Sequence, residues 1–378
     1  MTGLHTSIRR SLTPNLLIDP NYPERVDTEV TLTVPEGYQE EARLDQYVTR
    51  FIQNVSRNKA QKGIREGQVT INGEVVLKVS HPVMAGDRIV CILRKPPPLE
   101  IVPEDIPLDI SYEDEHLIVV NKAPGMVVHP GFGHRTETLL HALLYHLGSG
   151  TLSFEEDADI PDADEVGLSV AGAGPRFDGD SALRPGIVHR LDKGTSGLLV
   201  VAKSELAHRG LAVQFEERTI RRQYQAFVWG IPDPGEGRIE AEVARNPRDR
   251  KKMGVVAEGK GKHSVTNYKL EESFIYSSRL SFRLETGRTH QIRVHSKYLG
   301  HPVMGDVTYG GLGVVKGADT ANRRAYYRNL FTVMPRQALH AESLGFRHPI
   351  TGVQVDLHAD IPSDMATVLA RLRRGEPA

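Results

Sequence analysis

The chain has 378 residues, with 47 basic and 48 acidic side chains and a net charge of −1, which excludes nothing by itself because charge can be segregated along a chain. That length gives two or three domains and ample material for a core. Its one cysteine excludes an internal disulfide and a multi-thiolate metal site, and no run of about 18 apolar residues is present to cross a membrane.

Residues 1–41 carry Pro14, Pro20, Pro23 and Pro35 with little periodicity, and read as a flexible leader. Met1 to Asn15 lacks the apolar stretch of a secretory signal. Residues 42–95 read as a compact α/β unit. Leu44, Tyr47, Val48, Phe51 and Ile52 recur at helical spacing. A second helix starts after Ser56, a suitable N-cap, and closes at Gly67. Val69-Thr-Ile-Asn-Gly-Glu-Val-Val reads as a hairpin around an Asn-Gly turn. Cys91 sits in an apolar run and is expected in the core. A reducing compartment, the cytoplasm, is the simplest setting. This unit has ten Lys and Arg against four acids. Arg57, Lys59, Lys62 and Arg65 cluster on and before one helix, as either a solvated face or a phosphate-binding one.

Residues 96–108 hold five prolines and read as a semi-rigid linker without regular structure. Residues 109–378 form the second unit. Leu117 to Lys122 is a strand, and Thr138 can cap a helix over Leu139 to Leu147. Residues 148–183 carry nine acids against Arg176 alone and read as an acidic insertion, a loop that should avoid phosphates. Ser204 caps a helix to Glu217, with Leu206, Leu211, Val213 and Phe215 as its buried contacts. Strands follow from Arg222 to Gly230, Ser264 to Lys269, Arg279 to Glu285, Leu339 to Phe346 and Val353 to His358. Thr289 and Gly300 bound another helix. Ser363 caps a last one that buries Met365, Val368, Leu369 and Leu372. Hairpins dominate, so the fold class is α+β with a mixed, largely antiparallel sheet.

The chain is organised around Arg184 to Lys203. Two apolar stretches bracket His189, Arg190, Asp192, Gly194, Thr195, Ser196 and Gly197. Gly194 and Gly197 suit a tight turn, so one carboxylate, Asp192, is held on a loop by flanking strands. The 16 histidines invite a metal reading, but His290 with His295, or His129 with His134 and His141, lack the spacing of a metal motif. No metal and no cofactor are expected.

His189-Arg-Leu-Asp192 followed by Thr195-Ser-Gly-Leu-Leu-Val closely resembles the active-site segment of RluA/RluD-type pseudouridine synthases. The resemblance extends from about Arg43 to the C-terminus. It implies a bent sheet with a cleft across its middle, and Asp192 as the catalytic residue. It implies that Arg293, in Gln-Ile-Arg-Val-His, is the active-site basic residue, and that Tyr224 packs on the target base. Arg190 would enter the space left by an extruded nucleotide, and His189 beside it would serve substrate binding. Residues 42–95 resemble the S-four-type RNA-binding domain, in which the helix matching Arg57 to Arg65 meets RNA.

The chemistry agrees with these residue types. Pseudouridine formation detaches uracil from its sugar, turns it and rejoins it through carbon, with no redox change. It needs one ionised carboxylate. Burial raises a carboxylate pKa, and an adjacent Arg opposes that shift. The implied function is isomerisation of uridines in large-subunit (23S) ribosomal RNA by a monomer with RNA as its partner. The alternatives are a synthase for transfer or messenger RNA, and a non-catalytic ribosome-assembly factor. A pure binder has no use for a buried Asp–Arg pair.

Overall fold

The computed structural model describes residues 7–11, 26–52, 55–95, 99–130, 134–154, 186–247, 249 and 252–377. They divide into two compact units, one of the described residues up to Glu100 together with 152–154, the other of those from Ile101 to Thr151 and from Gly186 on.

In the first unit, β1 (Ser7–Ser11), β2 (Val26–Thr33), β4 (Val69–Ile71), β5 (Glu74–Val75) and β7 (Arg88–Lys95) form an antiparallel sheet in the order β1-β2-β7-β4-β5. A small ladder joins β3 (Ala42–Arg43) to β6 (Pro82–Val83). The β4–β5 turn has positive φ at Asn72 and Gly73, as the Asn-Gly signal requires. Helices α1 (Leu44–Phe51) and α2 (Arg57–Arg65) bury Leu44, Tyr47, Val48 and Ile64 against Val30, Leu32, Ile89 and Cys91. Ser56 caps α2 by accepting from Lys59 N–H. Residues 26–33 correct the reading of a flexible leader. Val30 and Leu32 alternate inward between threonines, and this period-two pattern is obscured by the prolines around it. The rest of residues 1–25 lies outside the described residues.

The linker is also more regular than its prolines suggest. Leu99–Ile101 forms β8, which pairs with β11 (Leu152–Phe154). The acidic insertion beyond Phe154 lies outside the described residues, and with it the expected course of that loop.

The second unit is built on one large sheet. Its strands are β9 (Ile110–Glu113), β10 (Leu117–Lys122), β12 (Gly186–Ile187), β13 (Ser196–Ala202), β14 (Arg221–Trp229), β15 (Glu236–Arg245), β16 (Met253–Val256), β17 (Lys262–Ser273), β18 (Ser277–Leu284), β19 (Leu339–Arg347) and β20 (Gln354–His358). Their order is β16-β15-β17-β18-β14-β19-β13-β10-β9, with β12 on β13 and β20 on β19. The fold is mixed α+β and rich in antiparallel pairs. The β13–β19 pair is parallel, matching Ser196 with His340 and Gly197 with Ala341. Every residue of β13 is buried, which explains its unbroken small and aliphatic composition.

Several helix starts differ from their sequence signals. α3 (Leu139–His146) begins after Thr138, whose hydroxyl pairs with His141 Nδ1 at 2.7 Å and not with the backbone. α4 (Glu205–Glu216) is capped by Ser204 as expected, but Leu206 and Val213 face solvent. Ala207, Leu211 and Phe215, four apart, make its inner face. α5 (Gln291–Tyr298) starts after His290, which is left-handed at φ 56°, so Thr289 is not its cap. Gln291 instead folds its side-chain oxygen back to accept from Arg288 N–H. α6 (Ala321–Val333) has little apolar periodicity to announce it, although Thr320 caps it. α7 (Ser363–Arg374) has Pro362 at its N-cap position with no side-chain cap, and Ser363 is its first helical residue. Its buried face is Met365, Val368, Leu369 and Leu372, as the spacing indicates. No helix among the described residues is long and apolar enough to cross a membrane.

Candidate active site

A cavity of about 460 Å³ opens in the second unit, in the range that holds small ligands. Asp192, His189 and Arg190 line it from the segment between β12 and β13. Tyr224 enters from β14, and His290 and Arg293 from the start of α5.

The turn that carries Asp192 is clamped from beneath. Thr195 N–H donates to the Asp192 carbonyl at 2.9 Å, closing the turn. Arg336 donates to the Gly194 carbonyl at 2.9 Å, and Arg336 is itself held by Asp364 at 2.7 Å. Gln337 donates to Thr195 Oγ1. A Cβ at Gly194 would sit 2.3 Å from the Gln337 side chain, so this glycine serves close packing and not the positive φ its sequence suggests. Gly197 does use its freedom: φ is 114°, and a Cβ would lie 2.2 Å from the Ala341 carbonyl oxygen.

Lys122 completes the support. It is buried at the end of β10 and donates from Nζ to the Ala123 and Met126 carbonyls at 2.8 and 2.9 Å, and to Lys193 O at 3.4 Å. Burial lowers its pKa to about 7, although the charge of Asp192 pulls the other way. Sequence reasoning did not single it out, although a lysine that closes a strand opened by four aliphatic residues, just before a Pro-Gly turn, is a signal.

Arg293 Nη1 donates to Asp192 Oδ2 at 2.9 Å. The rest of the guanidinium turns to a second carboxylate. Arg293 Nε and Nη2 bind Asp306 at 2.6 and 3.0 Å. Asp306 is fully buried and also accepts from Thr308 and Tyr309 N–H groups. The Tyr309 ring lies 5.0 Å from the Arg293 guanidinium. Burial alone would lower the Arg293 pKa, but Asp306 and Asp192 raise it, so the cation is fixed. Burial pushes the Asp192 carboxyl up, and His290, Arg293 and Arg190 together outweigh it, leaving the pKa at about 2.

Tyr224 is buried opposite Phe282 on β18 and Ala341 on β19, beside a bulge in the β14–β19 ladder. Burial and the nearby Asp192 raise its pKa, against Arg222, so its hydroxyl keeps its proton. Arg190 is half-buried in the cavity wall. His189 also accepts from Val200 N–H at Nε2, at 3.0 Å, which ties the two limbs of the loop together. Burial and Arg222 lower its pKa to about 3, so it is neutral. The structure therefore brings Asp192, Tyr224, Arg293, Arg190 and His189 to one cavity.

The four basic residues of α2 belong to the first unit. Lys62 and Arg65 are exposed and Lys59 is half-buried. Arg57 is engaged within the fold: it donates to Asp45 at 3.1 Å. Asp45 is wholly buried and also accepts from Gln61 and Arg43. Burial raises its pKa, but Gln61, Arg43 and Arg57 bring it down to about 2.

Sequence reasoning missed Asp306, Tyr309, His290, Arg336 and Gln337 as site residues. None is marked by its spacing, and each acts through contacts that only the fold creates. Among the described residues, no group of three or more His, Cys, Asp or Glu side chains is placed to hold a metal ion.

Residues 116–298 match the RNA pseudouridylate synthase family, a class of RNA-modifying isomerases. Residues 42–89 match the S4 domain. The chain belongs to the RNA pseudouridylate synthase family. It is 41% identical to ribosomal large subunit pseudouridine synthase D of Zymomonas mobilis, over 87% of this chain and 93% of that one. It is also 41% identical to the chloroplastic RNA pseudouridine synthase 2 of Oryza sativa, over 92% of this chain and 83% of that one. An uncharacterized RNA pseudouridine synthase of Chlorobaculum parvum is 43% identical, over 88% and 94%. The chain is thus a pseudouridine synthase, an isomerase with an RNA substrate.

Proposed function

We propose that the enzyme isomerises specific uridines of large-subunit ribosomal RNA, and that it does so in the cytoplasm. The relative named as a large-subunit synthase supports that substrate, since the similarity runs through both units. The lone, buried thiol fits a reducing compartment.

Asp192 is the catalytic group in this reading. The supporting observation is its contact with Arg293 at 2.9 Å in the wall of the cavity. During the reaction the bond from uracil N1 to the ribose breaks and a bond from uracil C5 forms. The C5 proton leaves and N1 gains one, so the reaction is balanced without any redox partner. An ionised carboxylate is needed whether it attacks the sugar or removes a sugar proton. Arg293 keeps it ionised after RNA closes over the cavity. Tyr224 packs against the detached base, where stacking is worth about 1–3 kcal/mol. Arg190 occupies the space that the flipped nucleotide vacates, and His189 holds Arg190's segment against β13. Lys59, Lys62 and Arg65 meet phosphates, and Arg57 at the same helix start adds its charge. The deciding experiment maps pseudouridines across total RNA with and without the gene. Loss of sites confined to transfer or messenger RNA would overturn the ribosomal reading. No lost site would favour a binding factor.

A further inference from the structure

We propose that His290 is a second positioning residue for the reaction: it presents an Nε2–H to Asp192 Oδ1 while Arg293 holds Oδ2. The inference rests on Asp192 being the catalytic carboxylate. His290 Nε2 stands 4.0 Å from Asp192 Oδ1, about 1 Å longer than a hydrogen bond. Such contacts tighten when substrate fills a site.

The tautomer follows from the neighbours. His290 Nδ1 lies 2.7 Å from the Tyr309 hydroxyl oxygen. That oxygen already accepts from Met253 N–H at 3.0 Å, so its own proton is left for Nδ1. In the neutral ring Nδ1 is then the acceptor and the proton sits on Nε2; in the cation that lowers the Asp192 pKa both nitrogens carry a proton, so an Nε2–H faces Asp192 in either state. The Tyr309 ring meets the imidazole edge-on at 5.5 Å and also lies beside Arg293. Asp306, two residues after Met304, binds the Arg293 fork and the Tyr309 N–H. One short segment, Asp306 to Tyr309, therefore sets both groups that face the Asp192 carboxylate. With the His290 contact tightened, an oxygen is held on each side and the carboxylate is fixed in rotation.

The backbone supplies an independent observation. His290 is left-handed, at φ 56° and ψ 20°, directly before α5. Glycine or asparagine occupies that conformation at lower cost. A purely structural start to α5 would be served as well by either. With this backbone the imidazole stands in the wall of the cavity that it lines.

The test compares His290→Asn, His290→Gln, Tyr309→Phe and Asp192→Asn. Turnover is read as tritium released from a large-subunit ribosomal RNA transcript labelled at uridine C5, alongside RNA affinity and melting temperature. His290→Asn tolerates the backbone but is too short to reach Asp192. It should melt no lower than wild type, bind RNA as well, and lose about tenfold or more in kcat with KM unchanged. His290→Gln extends a donor further and should recover part of that loss. Tyr309→Phe keeps the ring and removes the hydroxyl, so kcat should fall by an intermediate factor. Wild-type kcat in His290→Asn would overturn the proposal. So would a glutamine variant no better than asparagine with equal losses in melting and affinity, since that marks a structural residue. Should His290→Asn fail to fold, wild-type kcat in Tyr309→Phe overturns it. Retained activity in Asp192→Asn would instead overturn the reading of the site on which the proposal rests.

Discussion

At the scale of single residues, the site is a charge arrangement. Asp192 titrates at about 2, so it is ionised throughout the neutral range. Asp192→Asn keeps the shape and removes the charge. Turnover should fall at least about 100-fold while RNA affinity stays near wild type. Filter binding beside tritium release separates the two, and a variant retaining a tenth of wild-type turnover would exclude Asp192 as the catalytic group. The low pKa also fixes a sign. Its folded value lies below its unfolded one, so the stability it contributes is present above about pH 4 and is lost as pH falls toward 2. Asp306→Asn is expected to act differently. It weakens the fork that orients Arg293, so both melting temperature and kcat should drop, with KM nearly unchanged. A variant with normal kcat would show that Arg293 is aimed by its own helix. Asp192 and Arg293 are legible because they stand in a dense motif. Asp306 is not: Val-Met-Gly-Asp carries no local signal, and its partner is bonded only through the fold.

At the scale of elements, spacing is legible and caps are less so. The hairpin at Asn72-Gly73 and the inner face of α7 follow from local chemistry alone. The first residue of α5 does not, since a histidine before it runs against backbone preference and is held by tertiary contacts. Helix α2 shows a mixed case. Its four basic side chains look equivalent in sequence, yet Arg57 neutralises the buried Asp45. Changing Lys59, Lys62 and Arg65 together to alanine should raise KM and flatten the salt dependence of binding. Every phosphate partner removed lowers the slope by about 0.7–0.9. Saturated turnover should hold, because binding of this kind is equal in ground and transition states. Arg57→Ala should in addition lower the melting temperature. Steady-state kinetics at two salt concentrations, with melts of both variants, decide whether the helix faces RNA.

At the scale of the whole molecule, the two-unit plan is legible from a change of charge and a run of prolines. The leader is not, because Val26–Thr33 completes a sheet by pairing with Arg88–Lys95, far along the chain. The molecule should be indifferent to chelators and to thiol reagents. Cys91 is buried and its thiol is pushed up to about 12, so it is neither accessible nor ionised. Activity lost in EDTA and restored by zinc would refute this.

The parallel seam between β13 and β19 bears on when the enzyme comes alive. Ser196 is matched to His340, so the floor of the Asp192 turn is supplied by chain made much later. Synthesis proceeds from the N-terminus at about 5–20 residues per second. A nascent chain already holds its S4 domain and Asp192 well before β19 emerges. Until then Gly197 lacks Ala341 and the Gly194 carbonyl lacks Arg336. The Asp192 turn is therefore completed only when Arg336 and β19 are in place. A chain stopped at Met334 should keep salt-dependent RNA binding and release no tritium. Measurable release from that fragment would show that the turn sets itself without the seam.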